Sequence, residues 1–362
     1  MSSSVEAHHP KYVLINSGES YLGYAIARHM AREAMQHPGK MKKNWRVRVL
    51  CQNLQGLEGL IEAGVDLQVR TRFISATNFS NDSIKQQVNY QDEEQLRRQM
   101  RHVRSVIVIP VMGENRLPYT LNVINAASIE DVKRVHMVSF LGCEHAEDRN
   151  SPLGQYHQIE SHIRNTFAYG RWCIFRTTFF HQATFMWNAM IQKRGILGMP
   201  LPGEATATSI DIEDLCDAIT TYILSPKKQE IEEEDSPDSS HIKRVYELTG
   251  SCPYSNNDVV KQLNDALGEG SEITYQEISE EEMREYFKSL PQHPPESLLP
   301  PVYPALNDAF IDFMMDGFKL AKHYSFEKVT DDLRDLTGRE PMDLAKFFIE
   351  NRNQFRRPEE ER

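Results

Sequence analysis

The first half of the chain alternates short apolar runs with segments whose apolar residues recur every three or four positions. That alternation predicts strand–helix units feeding a parallel sheet. The strand-like runs are Tyr12–Asn16, Arg46–Cys51, Val65–Val69, Ser105–Pro110, Arg134–Ser139 and Trp172–Arg176. Helical spacing falls between them at Leu22–Gln36, Leu54–Ala63, Glu93–His102, Thr120–Ser128 and Gln155–Phe167. Gly64 stands just past the second of these, where a glycine commonly ends a helix. Six such units in succession predict an α/β fold, a doubly wound parallel Rossmann sheet with helices on both faces. A stretch rich in Ser, Asn and Thr, Arg70–Gln87, interrupts the rhythm and reads as a surface insertion.

Beyond Arg176 the pattern changes. Phe179–Arg194 and Ser209–Leu224 read as helices, the second with Asp211 as its cap. Arg244–Thr249 and Ile273–Glu277 read as strands, and Ser255–Leu267 as a capped helix. Lys227–Ser240 is a charge run, expected to be an unstructured loop. The predicted organisation is a polar N-terminal arm (1–10) and a dinucleotide-binding domain (11–178, insertion 70–87). A smaller α/β domain (179–350, acidic loop 227–240) then packs on the sheet's C-terminal edge, followed by a charged tail (351–362).

The turn after the first strand carries the first chemical signal. In Asn16-Ser-Gly-Glu-Ser-Tyr-Leu-Gly23 a strand runs through small residues into a helix, which aims helix N-terminal N–H groups at an anion, typically a pyrophosphate. The usual Gly-x-x-Gly-x-x-Gly register reads Ser17-x-x-Ser20-x-x-Gly23, with Gly18 one place past the first slot. Serine can hydrogen-bond phosphate, but its Cβ obstructs the close approach that glycine permits. Candidate cofactor contacts are therefore Ser17, Gly18, Ser20, Tyr21, Leu22 and Gly23. At the end of the second strand an acid would bind a ribose 2′-OH and an arginine a 2′-phosphate. Gln52 and Asn53 stand there and do neither, leaving NAD and NADP both open. Asn89 and Tyr90 are candidates to flank the adenine. Pro110 and Val111 after the fourth strand, with Thr177 and Phe180 after the sixth, complete the set.

Charge narrows the partners. Among 362 residues the formal net charge is -11, which argues against a broad grip on nucleic acid or anionic membrane. Lys40–Arg48 is the one weak basic candidate. No stretch approaches the ~20 apolar residues of a membrane span, and Met1–Pro10 has no apolar signal core. The five cysteines are scattered with no Cys-x-x-Cys, so free buried thiols are expected, no metal site, and a cytoplasmic setting, with the nucleus as an alternative.

Four stretches, in order along nearly the whole chain, resemble the NmrA-like family of atypical short-chain dehydrogenase/reductases. They are the first turn through Ala25-Ile-Ala-Arg-His29, and Val47–Asn53 with Ala63–Asp66. Gln158–Arg164 with Trp172–Phe180 follows, and then Ser209–Asp217 with Tyr246–Gly250 and Val329–Gly338. The resemblance implies NADP or NAD as cofactor, with NADP slightly favoured. It also implies either an NAD(P)H-dependent reductase of a quinone, enone or small carbonyl, or a regulator that reports redox state to a partner such as a transcription factor. Where relatives usually end the second strand with arginine, this chain has Gln52.

Carbonyl reduction in this superfamily uses a Tyr and a Lys four residues later on the helix after the fifth strand. Here Tyr156 is followed by Glu160, the wrong charge, and Pro152 precedes Tyr156 at the same spacing. Tyr324–Lys328 has the spacing but lies far beyond the sheet and reads as coincidence. The remaining catalytic candidates are Ser139, Tyr156 and His157. His181 and Gln182 fall near the expected nicotinamide end. Phe179, Phe180, Phe185, Met186, Trp187 and Met190 read first as core and second as a pocket lining. The leading expectation is a dinucleotide-binding regulator without the Tyr-x-x-x-Lys pair. The alternatives are a reductase that manages without the pair and a Rossmann scaffold that has lost its ligand.

Overall fold

The computed structural model describes residues 11–37, 45–52, 56–68, 88–168, 170–224, 244–270, 272–290 and 307–356. The insertion Arg70–Gln87, the acidic loop, Asn53 and most of the Lys40–Arg48 segment lie outside them. Strands β1 (Lys11–Ile15), β2 (Trp45–Leu50), β3 (Asp66–Gln68), β4 (Val103–Val108), β5 (Arg134–Phe140) and β6 (Trp172–Thr177) join one sheet. They alternate with helices α1 (Tyr21–Gln36), α2 (Glu58–Glu62), α3 (Glu93–Gln99), α4 (Arg116–Ile129) and α5 (Pro152–Thr166). A seventh strand, Val245–Leu248, pairs in parallel with β6, so Arg244–Thr249 belongs to the main sheet and not to a separate one. We number it β10, in chain order.

The strand order is β10-β6-β5-β4-β1-β2-β3, with every pairing parallel. Both faces are covered, which is why β5 and β6 are buried almost throughout and read as continuous apolar runs. One face is packed by α1 and α7 (Ile212–Leu224), the other by α3, α4 and α5. The order reverses between β1 and β4, the switch point at which doubly wound sheets open a crevice beyond their strand ends.

Two helical expectations are corrected. Phe179–Arg194 is not one helix. Phe179–Phe180 forms strand β7, His181–Trp187 winds as a 3-10 turn, and α6 spans Asn188–Arg194. Ser209–Ile210 likewise ends strand β9 (Thr206–Ile210) before α7 begins. The common cause is pairing: Phe179 and Phe180 lie in parallel register with Ser209 and Ile210, so both segments are held extended. Asp211 does receive the Glu213 N–H at 2.8 Å, as its expected capping role requires.

A third apolar cluster lies beyond the sheet. It is built from α6, β8 (Ile196–Met199), α8 (Asn256–Leu267), β11 (Thr274–Glu277), α9 (Glu280–Ser289), α10 (Asp308–Ala321) and α11 (Leu344–Phe355). Ser255 caps α8 in a reciprocal capping box with Asp258. Among these elements α10 packs on α5 and so reaches the crevice. No helix among the described residues is long and apolar enough to cross a membrane. Cys51, Cys143, Cys173 and Cys216 are buried free thiols.

Candidate functional site: a crevice at the switch point

The crevice is anchored by Asn16, whose importance the sequence pattern did not reveal. Its amide donates to the Ile109 carbonyl at 2.8 Å, and its carbonyl accepts the Ile109 N–H at 2.7 Å. One side chain thus closes the ends of β1 and β4 on each other with two buried hydrogen bonds. Ser17 follows with φ at 55°, a left-handed conformation in the slot where the usual motif places glycine. Its N–H donates to the Tyr90 hydroxyl at 3.0 Å. Tyr90 is fully buried, and its ring stacks on Tyr119.

The next residues form a cradle. A Cβ on Gly18 would stand 2.0 Å from Val49 Cγ1, and one on Gly23 would stand 2.1 Å from the Ser17 carbonyl oxygen. Gly18 thus allows the turn to lie against β2, and Gly23 allows α1 to lie against the turn. Ser20 caps α1, accepting the Gly23 N–H at 3.0 Å and donating to the Ser17 carbonyl at 2.6 Å. Because Ser20, Tyr21 and Leu22 line the cavity, the positive end of this 16-residue helix faces it.

The cavity, about 330 Å³, runs from this turn across the ends of β4, β5 and β6 to α10. Of the expected contacts, Ser17, Ser20, Tyr21, Leu22, Gln52, Pro110, Val111, Thr177 and Phe180 line it together. Gly18 and Gly23 act behind the wall, as packing glycines. Asn89 faces its own loop, its N–H donating to Gln95 and its side chain accepting from Gln91 N–H, so it does not line the cavity. Tyr90 reaches the site through Ser17. Glu19, which sequence reading passed over, lines the cavity and is the only charged residue among its described lining residues. Its carboxylate accepts the Gln52 backbone N–H at 3.2 Å, and burial pushes its pKa up to about 7.

The far end is apolar and aromatic, with Phe140, Phe179, Phe310, Phe313, Met186 and Met314. Tyr156 lines this part, buried against Phe313, and burial pushes its hydroxyl pKa up to about 12 although Arg116 opposes the shift. Ser139 also lines it, its Oγ 3.7 Å from the Cys143 thiol. His157 does not, and stands beside Cys143 and Glu160, with ligand-type atoms of the three within 4.8 Å of one another. Glu160 is already engaged. Arg176 binds it through Nε at 2.9 Å and Nη2 at 2.8 Å, and Arg164 adds a contact at 2.9 Å. The fully buried Glu160 therefore serves as the counter-ion of Arg176.

Other candidates lie elsewhere. His181 is buried, bonded to the Ser209 carbonyl at 3.1 Å, and burial lowers its pKa to about 4. Gln182 lines the cavity but spends its amide on Asp211 and Ile212, holding the start of α7. Phe185, Trp187 and Met190 belong to the third apolar cluster. Tyr324 stacks on His145 and Lys328 pairs with Glu247, both outside the described cavity lining. Arg48, at the edge of the weak basic stretch, is spent internally on Asp66 at 2.9 Å and over the Tyr12 ring.

No protein-family model matches the chain, and no curated protein matches it by sequence. Solved structures do share its fold. An NADPH-dependent quinone oxidoreductase from Escherichia coli, solved with NADPH, is 18% identical with a TM-score of 0.68, over 94% of this chain and 100% of that one. A triphenylmethane reductase from Citrobacter, solved with NADP(H), is 15% identical with a TM-score of 0.66, over 94% and 99%. A nucleoside-diphosphate-sugar epimerase from Staphylococcus aureus is 15% identical with a TM-score of 0.65, over 93% and 99%. The chain thus shares the Rossmann-type α/β fold of these solved structures.

Proposed function

We propose that the crevice holds a nicotinamide dinucleotide and that the protein is an NmrA-like binder of that cofactor, acting without the Tyr-x-x-x-Lys pair. The cradle supports the binding half of this reading. A turn that Gly18 and Gly23 pack tightly against β2 and α1, bringing the N-terminus of α1 to the cavity, suits a pyrophosphate. The observation that carries the second half is on α5. The residue four places after Tyr156 is Glu160, and its carboxylate is bound to Arg176 inside the protein. Nothing at that position can lower the Tyr156 pKa as a lysine would, and burial leaves the hydroxyl firmly protonated.

A binder without acid–base machinery suits a regulator whose cofactor state is read by a protein partner. The second reading, a reductase, is favoured by the aromatic far end of the cavity, which would seat a flat apolar substrate such as a quinone. In that case the cofactor would supply the reducing chemistry, and the chain's residues would bind and orient. The test is calorimetric titration with the four nicotinamide dinucleotides beside an assay of NADH and NADPH consumption with quinones, enones and aldehydes. Binding without consumption supports the regulator. Consumption lost in Phe313→Ala but retained in Tyr156→Phe supports the reductase without the pair.

A further inference from the structure

The cofactor-selecting position of a dinucleotide fold is the end of its second strand, where a carboxylate accepts a ribose hydroxyl or a cation binds a 2′-phosphate. In this chain the described residue there is the uncharged Gln52, and no charged residue follows it in sequence before Glu58. The charge arrives from the neighbouring turn. Glu19, in the turn between β1 and α1, reaches over and accepts the Gln52 backbone N–H at 3.2 Å. It thereby puts a carboxylate at the end of β2, in a lining whose other described residues are uncharged.

We infer that Glu19 is the specificity residue of this site, accepting a ribose hydroxyl of NAD or NADH and repelling the 2′-phosphate of NADP or NADPH. The inference rests on the reading of the crevice as a dinucleotide site. It narrows the cofactor beyond that reading, and against the NADP preference that the family resemblance implies. Burial supports it, because the carboxyl pKa rises to about 7 despite the N–H groups of Glu19 and Gln52. A carboxylate so raised has fewer donors than it can use, and ribose hydroxyls are donors. Above pH 7 the carboxyl is ionised, and a like charge brought close to it in a partly desolvated crevice is poorly screened.

The test is calorimetric titration of the full chain at pH 8, where Glu19 is ionised, wild type and Glu19→Gln, with NAD, NADH, NADP and NADPH. The wild type should bind NADH at least about tenfold more tightly than NADPH, and Glu19→Gln should reduce that ratio to within about threefold by weakening NADH and strengthening NADPH. The wild-type ratio needs no variant, so a Glu19→Gln chain that fails to fold does not rescue the inference. Equal affinities, or tighter NADPH, overturn it while leaving the dinucleotide site standing. Binding of none of the four overturns the site and the inference with it.

Discussion

The carboxylate of Glu19 accepts the backbone N–H of Gln52 at 3.2 Å, tying the turn after β1 to the end of β2. The tie is made by a half-buried acid whose pKa burial raises from 4.5 to about 7. A carboxyl raised on folding binds protons more tightly in the native state, so its contribution is most favourable below pH 4.5. That contribution is lost as pH rises from about 4.5 to about 7. Glu19→Gln should therefore match the wild type near pH 4.5 and exceed it at pH 8 by on the order of 2 kcal/mol, after allowing for partial solvent exposure. Urea unfolding at the two pH values measures this. A variant less stable than the wild type at pH 8 would contradict it.

Asn16 gives the second prediction. Asn16→Ala strips both bonds from the Ile109 backbone, leaving its buried N–H unmet and its carbonyl with only the Ser17 hydroxyl at 3.4 Å, and should cost about 1–3 kcal/mol. Dinucleotide affinity should fall too, because the ends of β1 and β4 set the width of the crevice. Denaturant midpoints and titration check the two effects separately. Loss of stability below about 0.5 kcal/mol would mean that water replaces the amide at this site.

The Glu160–Arg176 pair gives the third. Removing Glu160 leaves the buried Arg176 with Glu144 at 2.6 Å as its remaining partner, so Glu160→Leu should cost about 3 kcal/mol, the low end for breaking a buried pair. The double variant Glu160→Leu with Arg176→Met should cost less than Glu160→Leu alone, because the charges that lose a partner, Glu144 and Arg164, are both partly exposed to water. A double-mutant cycle reads the coupling directly. Additive losses would show that the two side chains stabilise the fold independently.

Much of the fold was legible in the sequence because a parallel sheet covered on both faces buries its strands whole. β5 and β6 stand out as apolar runs for that reason. The edge strand Val245–Leu248 was legible as a strand but not as a neighbour of β6, since pairing across some seventy residues leaves no local trace. Phe179–Trp187 misled because aromatic and methionine side chains at helical spacing also suit a strand followed by a 3-10 turn. The pairing with Ser209 and Ile210 that decides between them is made at long range.

The site divides in the same way. The turn from Ser17 to Gly23 was legible because its spacing is local. Tyr90 stood out only as a position after the insertion, and its hydroxyl bond to the Ser17 N–H depends on the fold. Asn16 works on a partner ninety-three residues away. Glu19 looks like any exposed acid in a turn until β2 comes to lie beside it.

The most direct measurement is a thermal-shift titration with NAD, NADH, NADP and NADPH, run on the wild type and on Gly23→Asp, whose side chain would press on the Ser17 carbonyl. Dinucleotide binding in the crevice should stabilise the native state by about 2.7 kcal/mol at a hundredfold excess over Kd, growing with concentration, and Gly23→Asp should abolish the response. No shift with any of the four at millimolar concentration would contradict the assignment and leave a Rossmann scaffold that acts through its surface.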